Sequence, residues 1–192
     1  MNRVQFAAAV FALASAATPA AAADFTGPRA EGRLGWTDVS TDEVDDDGLT
    51  YGVGIGYDYT FGQSIVVGAE ANFDWIDVDG CATRAGGVLA CFDTKRDISV
   101  AVRAGYKVLE NTLVYAKGGY ANGRVRGEFT QGGTTTGDTQ NGDGFVVGGG
   151  AEQALGPNLY AKLEYAYSNY EAGVDRHQIL LGVGFRFSGL GF

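Results

Sequence analysis

The closing stretch His177-Gln-Ile-Leu-Leu-Gly-Val-Gly-Phe-Arg-Phe187 decides the fold. Ile179, Leu181, Val183, Phe185 and Phe187 recur at every second position, with Gln178, Leu180, Gly182, Gly184 and Arg186 between them. A period of two places the two sets on opposite faces of a β-strand, one apolar and one polar or glycine. Seven further segments upstream alternate in the same way: 29–37, 49–59, 65–76, 97–108, 113–121, 145–153 and 159–167. The third and sixth share a pattern, VGAEANF and GGGAEQA, each with one Glu on the polar face after a glycine. No stretch shows helical periodicity. Eight alternating segments predict an all-β, antiparallel up-and-down barrel.

Residues 1–23 read as a signal peptide and 24–192 as the barrel. Arg3 supplies the positive start, a short apolar run covers Phe6–Ala17, and Ala21-Ala22-Ala23 forms the small-residue cleavage site before Asp24. The apolar run is too short for a spanning helix, and no later one is longer. Cleavage removes Arg3 and no acidic residue, which leaves the mature chain with ten more acidic than basic side chains. That balance excludes a nucleic-acid partner, whose backbone needs basic patches. Gly accounts for 31 residues, many inside the alternating segments, so a disordered chain is a poor reading.

The same alternation serves two opposite barrels. A soluble lipocalin-like carrier points its apolar face inward, whereas an outer-membrane barrel points it at lipid. Charge separates them. The polar faces carry Arg29, Arg33, Arg103, Lys107, Lys117, Lys162 and Arg186 against Glu31, Asp58, Glu70, Asp74, Asp97, Glu152 and Glu164. A narrow lumen of low dielectric needs its charges paired, and a water-washed face does not. Glycines between the charges suit an eight-stranded lumen with room for few side chains. Trp36, Tyr57, Tyr59, Trp75, Tyr106, Tyr165 and Tyr167 stand at segment ends, where interfacial girdles form. The connections alternate too: 60–64, 109–112 and 155–158 are short, while 38–48, 77–96, 122–144 and 168–176 are longer, as in outer-membrane barrels.

These features point to a transmembrane barrel whose lumen network contains Arg33, Glu70, Asp74, Arg103, Lys107, Lys117, Glu152, Lys162, Glu164 and Arg186. Its lumen is expected to be plugged by that network, since eight strands enclose little more than side chains. Cys81 and Cys91 lie ten apart in an exported chain and are expected to form a disulfide. No metal or cofactor is expected. The single histidine, His177, is remote from the cysteines, and no CxxC occurs. The acidic run Asp38, Asp42, Glu43, Asp45, Asp46 and Asp47 fails the calcium-loop template: with Gly48 at its sixth place, Gly54 stands where the bidentate Glu belongs. A solvated acidic loop is the expectation there, and a flexible exposed one for the Gly/Thr-rich Thr130–Gly144.

The signal peptide, the eight segments, the Gly148–Gln153 stretch and the final GVGFRF together resemble the small outer-membrane β-barrel family. That family includes the OmpA-type membrane domain, the opacity proteins and alphaproteobacterial surface antigens. The resemblance covers nearly the whole mature chain; its motifs are strong for fold and weak for activity. It implies residence in a Gram-negative outer membrane, among outer-membrane lipids and lipopolysaccharide, as a monomer. It also implies assembly by the barrel-insertion machinery, which reads a terminal aromatic: Phe187 in phase with Phe185, or Phe192 five residues on. The peptidoglycan-binding role of the OmpA type is not expected. Nor is catalysis, although Ser168, Glu164, Glu171 and Asp175 lie near His177. In lipid A deacylases of this barrel size a serine follows the histidine by two residues, and here that position is Ile179. The role expected is structural, with surface display by the loops; a narrow ion pore and a loop-borne adhesin are the alternatives.

Overall fold

The computed structural model describes residues 24–40, 45–84, 88–131, 134–171 and 174–187. Residues 1–23, expected as a signal peptide, and Phe192 lie outside the described residues. Eight strands follow one another: β1 (Gly27–Ser40), β2 (Asp45–Phe61), β3 (Ile65–Arg84), β4 (Val88–Leu109), β5 (Thr112–Gln131), β6 (Thr134–Ala154), β7 (Leu159–Tyr170) and β8 (Val174–Arg186). Each pairs antiparallel with its neighbours, and β8 closes on β1. Closure removes every sheet edge, so backbone polar groups are satisfied within the wall, as a lipid environment requires.

The strands run further than the alternation predicts. The segments at 38–48, 77–96, 122–144 and 168–176, expected as loops, are largely strand, and β5 and β6 stay paired out to Gln131↔Thr134. The physical reason is that a ladder is held by backbone groups. Gly, Thr and Asp can therefore continue the ladder without an apolar period. The short turns are as expected. The turn after β2 is closed by Gly62 in the left-handed region, φ 64°.

Register sets the lumen's contents. Most long lumen side chains face a glycine on the next strand: Gly52↔Asp74, Gly56↔Glu70, Gly68↔Arg103, Gly150↔Glu164, Gly182↔Lys162 and Gly184↔Tyr160. A Cβ added at Gly68 would lie 2.1 Å from Asp58 Oδ1, and one at Gly184 would lie 2.3 Å from Tyr160 Cζ. At Gly118, on the lipid side, the nearest atom would be 3.9 Å away. Gly68→Ala should therefore lower the temperature at which the folded, fast-migrating gel band disappears, and Gly118→Ala should leave it nearly unchanged. Equal behaviour of the two variants would contradict this packing.

Candidate functional site

Among the described residues, seven cations and seven anions are buried in the lumen. The anions are Glu31, Asp58, Glu70, Asp74, Asp97, Glu152 and Glu164, and the cations Arg29, Arg33, Arg103, Lys117, Lys162, Arg176 and Arg186. Their side chains alternate with outward apolar residues along every strand, because a one-residue step changes face.

The lower lumen, nearest the short turns, holds a continuous network. Asp58 accepts from Arg29 Nε at 3.1 Å, from Arg103 Nε at 2.8 Å and Nη2 at 2.5 Å, and from Arg186 Nη1 at 3.0 Å. Arg103 and Arg186 both also donate to Glu152. Arg29 reaches Glu31 at 3.0 Å and Glu70 at 2.5 Å. Lys117 bridges Glu70 and Glu164, each at 2.8 Å, and Lys162 joins Glu31 at 2.6 Å to Glu164 at 3.2 Å. Tyr115 and Tyr160 donate to Glu164 and Glu31 at 2.7 and 2.8 Å.

A second, sparser group lies toward the opposite end. Arg33 pairs with Asp74 at 3.1 Å, Arg176 with Asp97 at 2.9 Å, and Tyr170 donates to Asp97 at 2.5 Å. Arg33 Nη1 and Arg176 Nε are buried without a hydrogen-bond partner among the described residues. The 3.8 Å approach of Arg33 to Glu164 links the two groups.

Beneath the lower network the chain before β1 turns into the barrel mouth. Gly27 adopts φ 123°, where a side chain would be strained, and its Cβ would meet the Phe187 carbonyl at 3.2 Å. The turn delivers Phe25, 1 % exposed, against Val66 and Leu113. Arg186 donates to the Phe25 carbonyl and lies over its ring at 5.3 Å.

Of the residues expected in the network, Arg33, Glu70, Asp74, Arg103, Lys117, Glu152, Lys162, Glu164 and Arg186 come together. Lys107 does not. It is half-buried at the mouth, its Nζ 5.7 Å from the Phe25 ring centroid, and it has no ion pair among the described residues. Arg176 takes its place in the balance. The alternation of β8, extended upstream of His177, marks Arg176 as inward. Tyr115 is likewise in phase with Lys117, but nothing in the sequence marks Phe25. Phe185 and Phe187 pack edge to face at 5.2 Å on the outer wall. Cys81 and Cys91 are register partners across β3 and β4.

His177 lies on the outer wall. Its Nδ1 is 2.7 Å from the Tyr165 hydroxyl, and its ring is 5.0 Å from that of Tyr167. Ser168 and Glu164 point into the lumen and are fully buried, so the wall stands between them and the imidazole. These residues cannot form a hydrolytic triad, which needs mutual hydrogen-bond reach.

The outer wall carries the girdles. At the short-turn end stand Tyr57, Tyr59, Phe61 and Tyr106, and at the other Trp36, Tyr51, Trp75, Tyr120, Phe145 and Tyr165, all exposed. Above the second girdle one arrangement occurs twice. Asp143 accepts from Tyr120 at 2.5 Å and Asn122 at 2.6 Å, and Asp175 accepts from Tyr167 at 2.6 Å and Asn169 at 2.7 Å. Each Asn faces its Asp in register, two residues beyond the Tyr, so the two hairpins fasten their rims identically.

An apolar, aromatic-belted exterior around a charge-balanced interior is the geometry of a barrel that spans lipid. The comparisons agree. The model of the outer membrane protein beta-barrel domain matches residues 6–187. The chain is 30% identical over 160 residues to the 31 kDa outer-membrane immunogenic protein of Brucella melitensis, covering 73% of this chain and 67% of that one. It is 29% identical over 154 residues to a 22 kDa outer membrane protein of Rhizobium leguminosarum bv. viciae, covering 72% and 68%. Two solved barrels share the fold: Ail of Yersinia pestis (TM-score 0.58, 19% identity, 84% of this chain and 99% of that one) and Neisserial surface protein A (0.57, 15%, 84% and 98%). The chain belongs to the outer membrane protein beta-barrel domain family, and its place is the cell outer membrane.

Proposed function

We propose that this protein is a closed-lumen structural barrel of the outer membrane that displays its acidic loops at the cell surface. One observation carries the reading. Asp58 alone ties Arg29, Arg103 and Arg186 together across the lumen, directly above the buried Phe25. An ion passing through would have to break several charge-assisted hydrogen bonds at once, each stronger than a neutral one. Display fits the Brucella relative, which is named for being immunogenic. The lumen charges serve as scaffold here, and no residue is assigned a chemical step.

The test is conductance in planar bilayers. The mature wild-type protein should give no single-channel steps. Steps that change on Glu70→Gln or Arg103→Gln would favour the narrow-pore reading instead. Display is tested on intact cells, where antibody against the Thr130–Gly144 segment should bind without permeabilisation.

A second expected feature is a disulfide between Cys81 on β3 and Cys91 on β4. Directly opposed residues of an antiparallel pair have Cα atoms about 4.5–5.5 Å apart, within the range a disulfide spans. In protein isolated from outer membranes both thiols should resist alkylation until a reductant is added. Ready labelling of both without reductant would disprove the bridge.

A further inference from the structure

The outward residues of β3, β4 and β5 form a face unlike the rest of the barrel. Near the outer rim Arg96 on β4 and Arg124 on β5 are direct register partners, both on the lipid-facing parity. Trp75 of the outer girdle is the partner of Arg96 on its other side. Neither guanidinium has an ion-pair partner among the described residues. Two like charges directly opposed across a ladder destabilise it unless an anion lies between them. Elsewhere on the same rim the outward charged side chains, among the described residues, are acidic: Asp143 on the adjoining β6, Asp175 on β8 and Asp38 on β1. The basic pair is therefore local to one side.

Down the same strands from the arginines, the wall is lined by small side chains. Ala69 and Ala71 on β3, Val100 and Val102 on β4 and Gly118 on β5 form one part of a shallow, open trough of about 860 Å³ that extends across Ile55 on β2 to Ala30 and Phe187. It continues along Val67, Ala104 and Ala116. From Arg96 to Val100 and Val102 the strand rises roughly 14–20 Å, a distance an extended acyl chain covers. A cationic pair at headgroup level and an apolar trough at acyl level, on one set of strands, match the two halves of one amphiphile.

We infer that the β3–β5 face seats a phosphate-bearing glycolipid of the outer leaflet, its phosphate held between Arg96 and Arg124 and an acyl chain lying in the trough. Planar guanidinium groups suit a phosphate because they donate two parallel hydrogen bonds to it. The seat is on the outer wall and stands whether or not the lumen conducts.

The test uses the mature protein in detergent micelles, titrated with bisphosphorylated lipid A and with its dephosphorylated form, with bound lipid read by native mass spectrometry. Each variant is first shown to keep its fast-migrating unboiled band. In the Arg96→Gln/Arg124→Gln variant, binding of the bisphosphorylated lipid should weaken about tenfold or more, the scale of lost charge-assisted bonds. Binding of the dephosphorylated form should stay at its already weaker level. Gly118→Leu, which fills the trough, should weaken both forms. High salt should weaken the wild type toward the double variant, which tests the seat without any substitution. The inference is overturned if the double variant binds like wild type, or if wild type does not distinguish the two lipids. It is also overturned if Gly118→Leu abolishes a protein dimer in place of lipid binding, since the trough would then seat a second copy.

Discussion

Asp58→Ala should be the most damaging single change in the lumen. The carboxylate has no exposed surface and accepts from three arginines on three other strands, β1, β4 and β8. An intact buried ion pair contributes little net stability, because desolvation offsets most of the attraction. Removing one partner is different, since it leaves buried charge uncompensated. The expected cost is about 3–5 kcal/mol, with Arg103 and Arg186 left to share Glu152. The readout is the urea midpoint of protein folded into vesicles, followed through Trp36 and Trp75. Asp58→Asn should fall between wild type and Ala, because the amide keeps an acceptor but loses the charge. A midpoint for Asp58→Ala within experimental error of wild type would mean that the network does not hold the wall together.

Val102→Arg probes the opposite face. Val102 is 69% exposed, on β4 between Arg96 near the outer rim and Tyr106 of the short-turn girdle, and its neighbours across the ladder are Ala69 and Gly118. In the membrane this exposure is to acyl chains. An arginine near the midplane of a transmembrane barrel costs about 2–4 kcal/mol, falling toward zero at the interfaces. The variant should assemble poorly, and Arg96 shows the contrast, since an arginine six residues up the same strand meets headgroups. Val102→Leu should assemble normally. Equal assembly of Val102→Arg and wild type would place this face in water and return the soluble-barrel reading.

The sequence alone determined the strand count, the parity of nearly every residue, and which face is apolar. These follow from a period of two, which is local and survives any tertiary arrangement: Val53, Ile55 and Tyr57 against Gly52, Gly54 and Gly56 can make only one kind of strand. Nine of the ten residues expected in the lumen network meet there for that reason. Tertiary structure decided what parity cannot express. Lys107 has the right parity, yet it lies at the mouth, because the depth of a side chain depends on register across closed neighbours rather than on its own strand. Phe25 precedes the first strand and carries no periodic signal; only the turn at Gly27 brings it under Arg186. The length of the strands beyond the membrane was hidden because a ladder is a backbone property and needs no apolar pattern. The opposition of Arg96 and Arg124, 28 positions apart, exists only once β4 and β5 are in register. Alternation is written residue by residue, whereas pairing partners are set by the closure of the whole barrel.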